Sequence, residues 1–136
     1  MASFVLRKAE LNLGEQVMMS VNVEKIGELA VVECEGRFVK REAASKLCEA
    51  VTSQTDARIV VLELSEVHAI EGGGLGMLLF LRRWAHGRNI RFMLFDPSKC
   101  VREGLKRVRS ISEFYIPTLD DMIALVTYAG SKYAAA

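Results

Sequence analysis

Two near-continuous apolar runs, Arg58–Leu64 (RIVVLEL) and Ile90–Phe95 (IRFMLF), constrain this chain more than any other feature. Unbroken β-branched and aliphatic runs suit strands covered on both faces, which is the environment of a parallel sheet. Between them lies a segment long enough for a crossover helix, so strand, helix and strand follow in the order of a parallel unit. Upstream, Met18–Val23 alternates as a first strand, and Lys25-Ile26-Gly27-Glu28 makes a turn. Leu29–Cys34 then reads as a second strand closed by Gly36.

From Lys40 to Gln54, Ala43, Ala44, Leu47, Cys48 and Val51 recur three and four apart, marking one face of a helix. A second helix follows the glycine cluster and runs to about Gly87. Asp96-Pro97-Ser98 opens a third, with Val101, Leu105 and Val108 as its stripe. Phe114–Ile116 reads as a short edge strand. Thr118 starts a last helix in capping-box fashion with Asp121, turning Leu119, Ile123 and Val126 inward. The expectation is one α/β domain, a mostly parallel mixed sheet of four to five strands with about four helices. It spans residues 17–129, after an irregular lead-in at 1–16 and before a frayed tail at 130–136.

Composition narrows the function. In 136 residues, 51% hydrophobic and 26% charged, acids and bases are interspersed to a net charge of +1, so no bulk field favours nucleic acid or a membrane surface. The start of the chain lacks the apolar core of a signal peptide, and Leu75–Leu81 is too short to span a bilayer, so the expected compartment is the cytoplasm. Cys34, Cys48 and Cys100 are too widely spaced for a zinc site and fit small core residues in a reducing compartment. No metal or cofactor is expected.

The glycine cluster Glu71-Gly72-Gly73-Gly74 sits where strand gives way to helix, a place where anions bind readily. A phosphate loop needs Lys-Ser/Thr after its last glycine, and Leu75-Gly76-Met77 stands there instead. The dinucleotide fingerprint fails at Met77, and no Ser or Cys occupies the turn to act as a nucleophile. His68 and His86 flank the helix with no nucleophile to activate. No catalytic constellation results, and the protein is not expected to be an enzyme.

The segment RIVVLELSEVHAIEGGGLGMLLFLRR resembles the centre of the STAS domain of bacterial anti-sigma factor antagonists. There an apolar strand and a short connector lead into Asp-Ser-Ser-Gly-Leu-Gly at a helix start. Gly74-Leu75-Gly76 matches the end of that motif, and Pro97-Ser98, Val101, Leu105, Ile111, Phe114 and Ile116 keep the family's downstream spacing. Gly36 and the helix near Lys40 match upstream, so the likeness spans about residues 18–128. The resemblance implies a non-catalytic interaction module whose partner is an anti-sigma factor, a serine kinase-like regulator or another STAS protein. In the family the first Ser of the motif is phosphorylated, which breaks docking by adding negative charge.

Here Glu71 stands for the Asp, Gly72 for the phosphoacceptor, Gly73 for the second Ser, and Val39 for an Asp after the second strand. Gly72 has no hydroxyl, so the switch is expected to be missing, or moved to Ser65, Ser98 or Thr118. The helix beyond carries two apolar sides, Leu75, Leu78, Leu79 and Ala85 on one, Met77, Phe80, Leu81 and Trp84 on the other. Met77, Phe80, Leu81 and Trp84 are the expected partner-binding residues, since this helix is the docking surface in the resembling family. Two other functions remain open: a STAS subunit of a membrane transport or scaffold complex, and a small-molecule or nucleotide binder using the helix N-terminus.

Overall fold

The computed structural model describes residues 19–135. The expected lead-in at 1–16 lies outside them, as does Met18 at the start of the first strand. A four-stranded mixed sheet of order β1-β2-β3-β4 is formed by β1 (Ser20–Ile26), β2 (Leu29–Phe38), β3 (Ile59–Ile70) and β4 (Arg91–Phe95). β1 is antiparallel to β2 across a turn in which Gly27 takes a φ of 62°. β2, β3 and β4 are mutually parallel. The crossovers that parallel pairing demands are α1 (Arg41–Thr52) and α2 (Gly72–Gly87), with α3 (Lys99–Arg107), a single 3-10 turn (Ile111–Glu113) and α4 (Leu119–Ala135) completing the chain.

Alternation along the strands sorts side chains into two layers. Ala30, Val32, Cys34, Val60, Leu62, Leu64 and Leu94 join Leu47 and Val51 of α1, Leu78 and Leu81 of α2, and Val101 and Leu105 of α3 in the larger core. On the opposite face Leu29, Val61 and Met93 meet Met122 and Ala129 of α4. Each fully buried Leu or Val contributes about 1.5–3 kcal/mol of transfer free energy, so the larger layer dominates stability.

Several boundaries differ from the sequence reading. Gly36 does not close β2; it takes a φ of 119° at an irregularity in the β2–β3 register, and the strand continues to Phe38. Its backbone bends there without breaking the ladder, which glycine permits. β3 likewise continues past Ser65 through Ile70, because Val67 and Ile70 still find core while Glu66 and His68 face solvent. Phe114–Ile116 supplies one parallel bridge, Tyr115 to Met93, in place of a strand. Val108 is 44% exposed, since α3 ends at Arg107 before that position can turn inward.

On α4 the inward stripe is Met122 and Ala129, with Leu125 and Val126 partly buried, whereas Leu119 and Ile123 are exposed. The helix contacts the sheet through a line rotated from the expected one, and it runs on to Ala135 through the segment expected as a tail. Its capping box is present: the Asp121 N–H donates to Thr118 Oγ1 at 3.1 Å, and the Thr118 N–H to Asp121 Oδ2 at 3.4 Å.

Candidate functional site: the N-terminal turn and outer face of helix α2

β3 delivers the chain to Glu71, whose extended backbone (φ −124°, ψ −178°) makes it the N-cap of α2. Its amide donates to the Phe38 carbonyl at 3.4 Å, tying the turn to the end of β2, and its own carbonyl accepts the first helical bond from Leu75 at 2.9 Å. No side chain caps this terminus. The first amides of a helix have no partner within it, so the turn presents N–H groups and the positive end of the dipole to its surroundings.

The three glycines do different things. Gly72 and Gly73 are exposed, have no positive φ, and a Cβ on either would meet nothing within 4 Å. Gly74 is buried, and a Cβ there would lie 2.8 Å from the Phe38 carbonyl oxygen and 2.9 Å from Ile70 Cγ1. Only glycine lets the helix approach β2 and β3 this closely. Gly104 of α3 has a related role, since its Cβ would press within 3.0 Å of Leu75 Cδ2. Gly74 and Gly104 therefore seat the helix, whereas Gly72 and Gly73 leave its exposed start bare.

Along α2 the inward line is Gly74, Leu75, Leu78, Leu81 and Ala85. This corrects the reading of Leu81: it is 0% exposed, a core residue unavailable to a partner in this fold. At 100° per residue Leu81 stands only 60° from Leu78 and 40° from Ala85, so contact with the sheet draws it into the inner arc. The outer surface holds Gly72, Gly73, Gly76 and Phe80, the last 46% exposed, with Met77 and Trp84 half-buried on its flank. Trp84 is steadied by the Arg88 guanidinium, 5.2 Å from its ring. Arg82, on the other flank, donates to the Glu113 carbonyl at 2.7 Å and braces α2 against the 3-10 turn.

Two of the three alternative acceptor hydroxyls, those of Ser98 and Thr118, are engaged in local structure. Ser98 Oγ donates to the Val67 carbonyl at 2.7 Å, and Thr118 Oγ1 serves the capping box. Glu63 accepts the Ser65 N–H at 2.9 Å within its own strand, and no described carboxylate pairs with Glu71. His68 and His86 are exposed, with His68 Nε2 3.9 Å from Glu66. Burial, with Glu63 and Glu33 nearby, pushes the Cys34 thiol up to about 12, making it inert. Among the described residues no group of His, Cys, Asp and Glu is arranged to hold a metal ion, and no helix is long and apolar enough to cross a membrane.

The sequence reading did not separate Gly74 from its neighbours, and it did not single out Gly76 as part of the outer face. The close approach of Gly74 is set by Phe38, 36 residues earlier, together with Ile70, and the local signal for it was its match to the glycine of the family motif.

No family model matches the chain, and no curated protein matches it. Solved structures do. The anti-sigma factor antagonist SpoIIAA in its unphosphorylated form superposes with a TM-score of 0.66 at 15% identity, over 79% of this chain and 96% of that one. An anti-sigma factor antagonist from Mycobacterium paratuberculosis gives 0.67 at 22% identity, over 80% and 94%. RsbS from Moorella thermoacetica gives 0.64 at 14%, over 79% and 95%. The four-stranded mixed sheet and its four helices are the STAS fold, the fold of anti-sigma factor antagonists.

Proposed function

We propose that this protein is a non-catalytic regulatory module that docks an anti-sigma factor, a serine kinase-like regulator or another STAS protein in the cytoplasm, through the start and outer face of α2. The observation that carries this reading is the pairing of a seated Gly74 with bare neighbours. The helix is held tightly to the sheet from within, and outside it presents uncapped amides, Gly72, Gly73, Gly76 and the half-exposed Phe80. A flat glycine surface beside an aromatic anchor suits close approach by a partner, since aromatic residues dominate binding energy at interfaces. The similar SpoIIAA is known in unphosphorylated and phosphorylated forms. By its resemblance to the family motif, Gly72 of this chain stands for the phosphoacceptor, and with no hydroxyl it offers no switch at that site.

The test is titration calorimetry with the kinase-like anti-sigma factor of the same genome. Wild type should bind, and Phe80→Ala should weaken binding by about 1 kcal/mol or more. Absence of binding by wild type, or equal binding by wild type and Phe80→Ala, would defeat the reading.

A further inference from the structure

Three rows of side chains cross the sheet on the face that α4 covers. The register gives them as Leu29–Ile59–Arg91, Val31–Val61–Met93 and Glu33–Glu63–Phe95. The middle row is apolar throughout and its Val61 and Met93 are sealed beneath the helix. In the first row the apolar ladder ends in an exposed arginine, and there the packing opens into a cleft of about 270 Å³. Leu29 and Ile59 line it from the sheet, Leu125 and Ala129 from α4. Arg58, Arg91 and Tyr128 stand around it.

The two cations are not equivalent. Arg58 Nε lies 3.4 Å from the Glu28 carboxylate, so Glu28, the one acid among the described residues lining the cleft, is already matched. Arg91 forms no ion pair or side-chain hydrogen bond with any described residue. Tyr128 is 67% exposed, an aromatic surface next to the cleft. The lining contributed by Leu29, Ile59, Leu125 and Ala129 gives water there few partners. An apolar body would displace that water favourably, and a carboxylate at its end would meet the unmatched guanidinium in charge-assisted hydrogen bonds.

We propose that this cleft binds a small amphipathic carboxylate, with its apolar part between α4 and the starts of β2 and β3 and its head group on Arg91. The site lies at the beginning of β3, whereas the start of α2 follows the end of that strand. The length of β3, eleven steps from Ile59 to Ile70, separates the two, roughly 36 Å at about 3.3 Å per residue. The ligand site is thus independent of the docking surface.

The experiment is an amide-resolved NMR titration of the full-length protein with octanoate, and in parallel with 1-octanol and octylamine. Octanoate should saturate, shifting the amides of Ile59, Arg91 and Ala129 while those of Gly72–Met77 stay in place. Octanol, without the carboxylate, and octylamine, with the opposite charge, should bind about tenfold or more weakly. Arg91→Gln should weaken octanoate binding by about tenfold or more with the rest of the spectrum unchanged. Ala129→Met should block binding by filling the wall without altering charge. Lack of saturation by octanoate, equal affinity for octylamine, shifts confined to other surfaces, or an Arg91→Gln variant that binds like wild type would each overturn the proposal.

Discussion

Replacing Gly74 by Ala should destabilise the protein, although alanine favours a helix. The added Cβ would sit 2.8 Å from a backbone oxygen, Phe38 O, and 2.9 Å and 3.2 Å from Ile70 Cγ1 and Phe38 Cγ. The carbonyl is held in the sheet and cannot rotate away, so the helix start must lift. Overpacking of this kind costs about 1–3 kcal/mol, against a helix gain of about 0.5–1 kcal/mol from removing glycine. With two contacts below 3.0 Å the cost falls in the upper part of its range, for a net loss of about 2 kcal/mol. Gly72→Ser, two residues away on the same turn, meets nothing within 4 Å and should stay within about 0.5 kcal/mol of wild type. Urea unfolding followed by circular dichroism measures both, with equal m-values as the check that only stability has changed. A Gly74→Ala variant as stable as wild type, or a Gly72→Ser variant that loses as much, would refute the division of labour among the glycines.

Other outcomes follow from the same geometry. Leu81→Ala should cost about 2–5 kcal/mol, as befits a wholly buried leucine, while Phe80→Ala should cost under about 1 kcal/mol; the two unfolding midpoints decide it. Iodoacetamide on the folded protein at mildly alkaline pH should spare Cys34, whose thiol is held at about 12, and modify the partly exposed Cys48 and Cys100 first. Because Cys34 keeps its proton in the folded state above its ordinary value of 9.0, its contribution to stability is complete below pH 9.0 and is lost as pH rises towards about 12. A Cys34→Ala variant should lack that share of the alkaline decline. Thr118→Ala removes the hydroxyl that accepts the Asp121 N–H and should lower stability by about 1 kcal/mol, read from the unfolding midpoint.

The parallel core of this fold was legible because β3 and β4 are covered on both faces, and such strands announce themselves as unbroken apolar runs. Where coverage stops, the signal stops. The second half of β3 carries polar Ser65 and the exposed Glu66 and His68, so it reads as a connector although it pairs with β2 through Ile70. Gly36 reads as a stop because a glycine usually ends a strand, whereas here it absorbs a bend within one. The outer arc of α2 was legible in Phe80, Met77 and Trp84 but not at Leu81. Leucines at 75, 78, 79 and 81 make an apolar arc wider than one contact face, and only the position of the sheet decides which flank is sealed. The same ambiguity on α4 exchanged Met122 and Ala129 for Leu119 and Ile123. The bare start of α2 could be read from residue types alone; the reason Gly74 must be glycine lies in Phe38, far away in the chain.

Hydrogen exchange in the presence of the proposed partner, a kinase-like anti-sigma factor, tests the central claim most directly. If α2 is the docking surface, the peptide spanning Glu71–Gly87 should gain the largest protection on binding, led by the uncapped amides of Gly72, Gly73 and Gly74, while α4 exchanges as it does in the free protein. Protection centred on α4 or the β1 edge, with the start of α2 exchanging unchanged, would contradict the account.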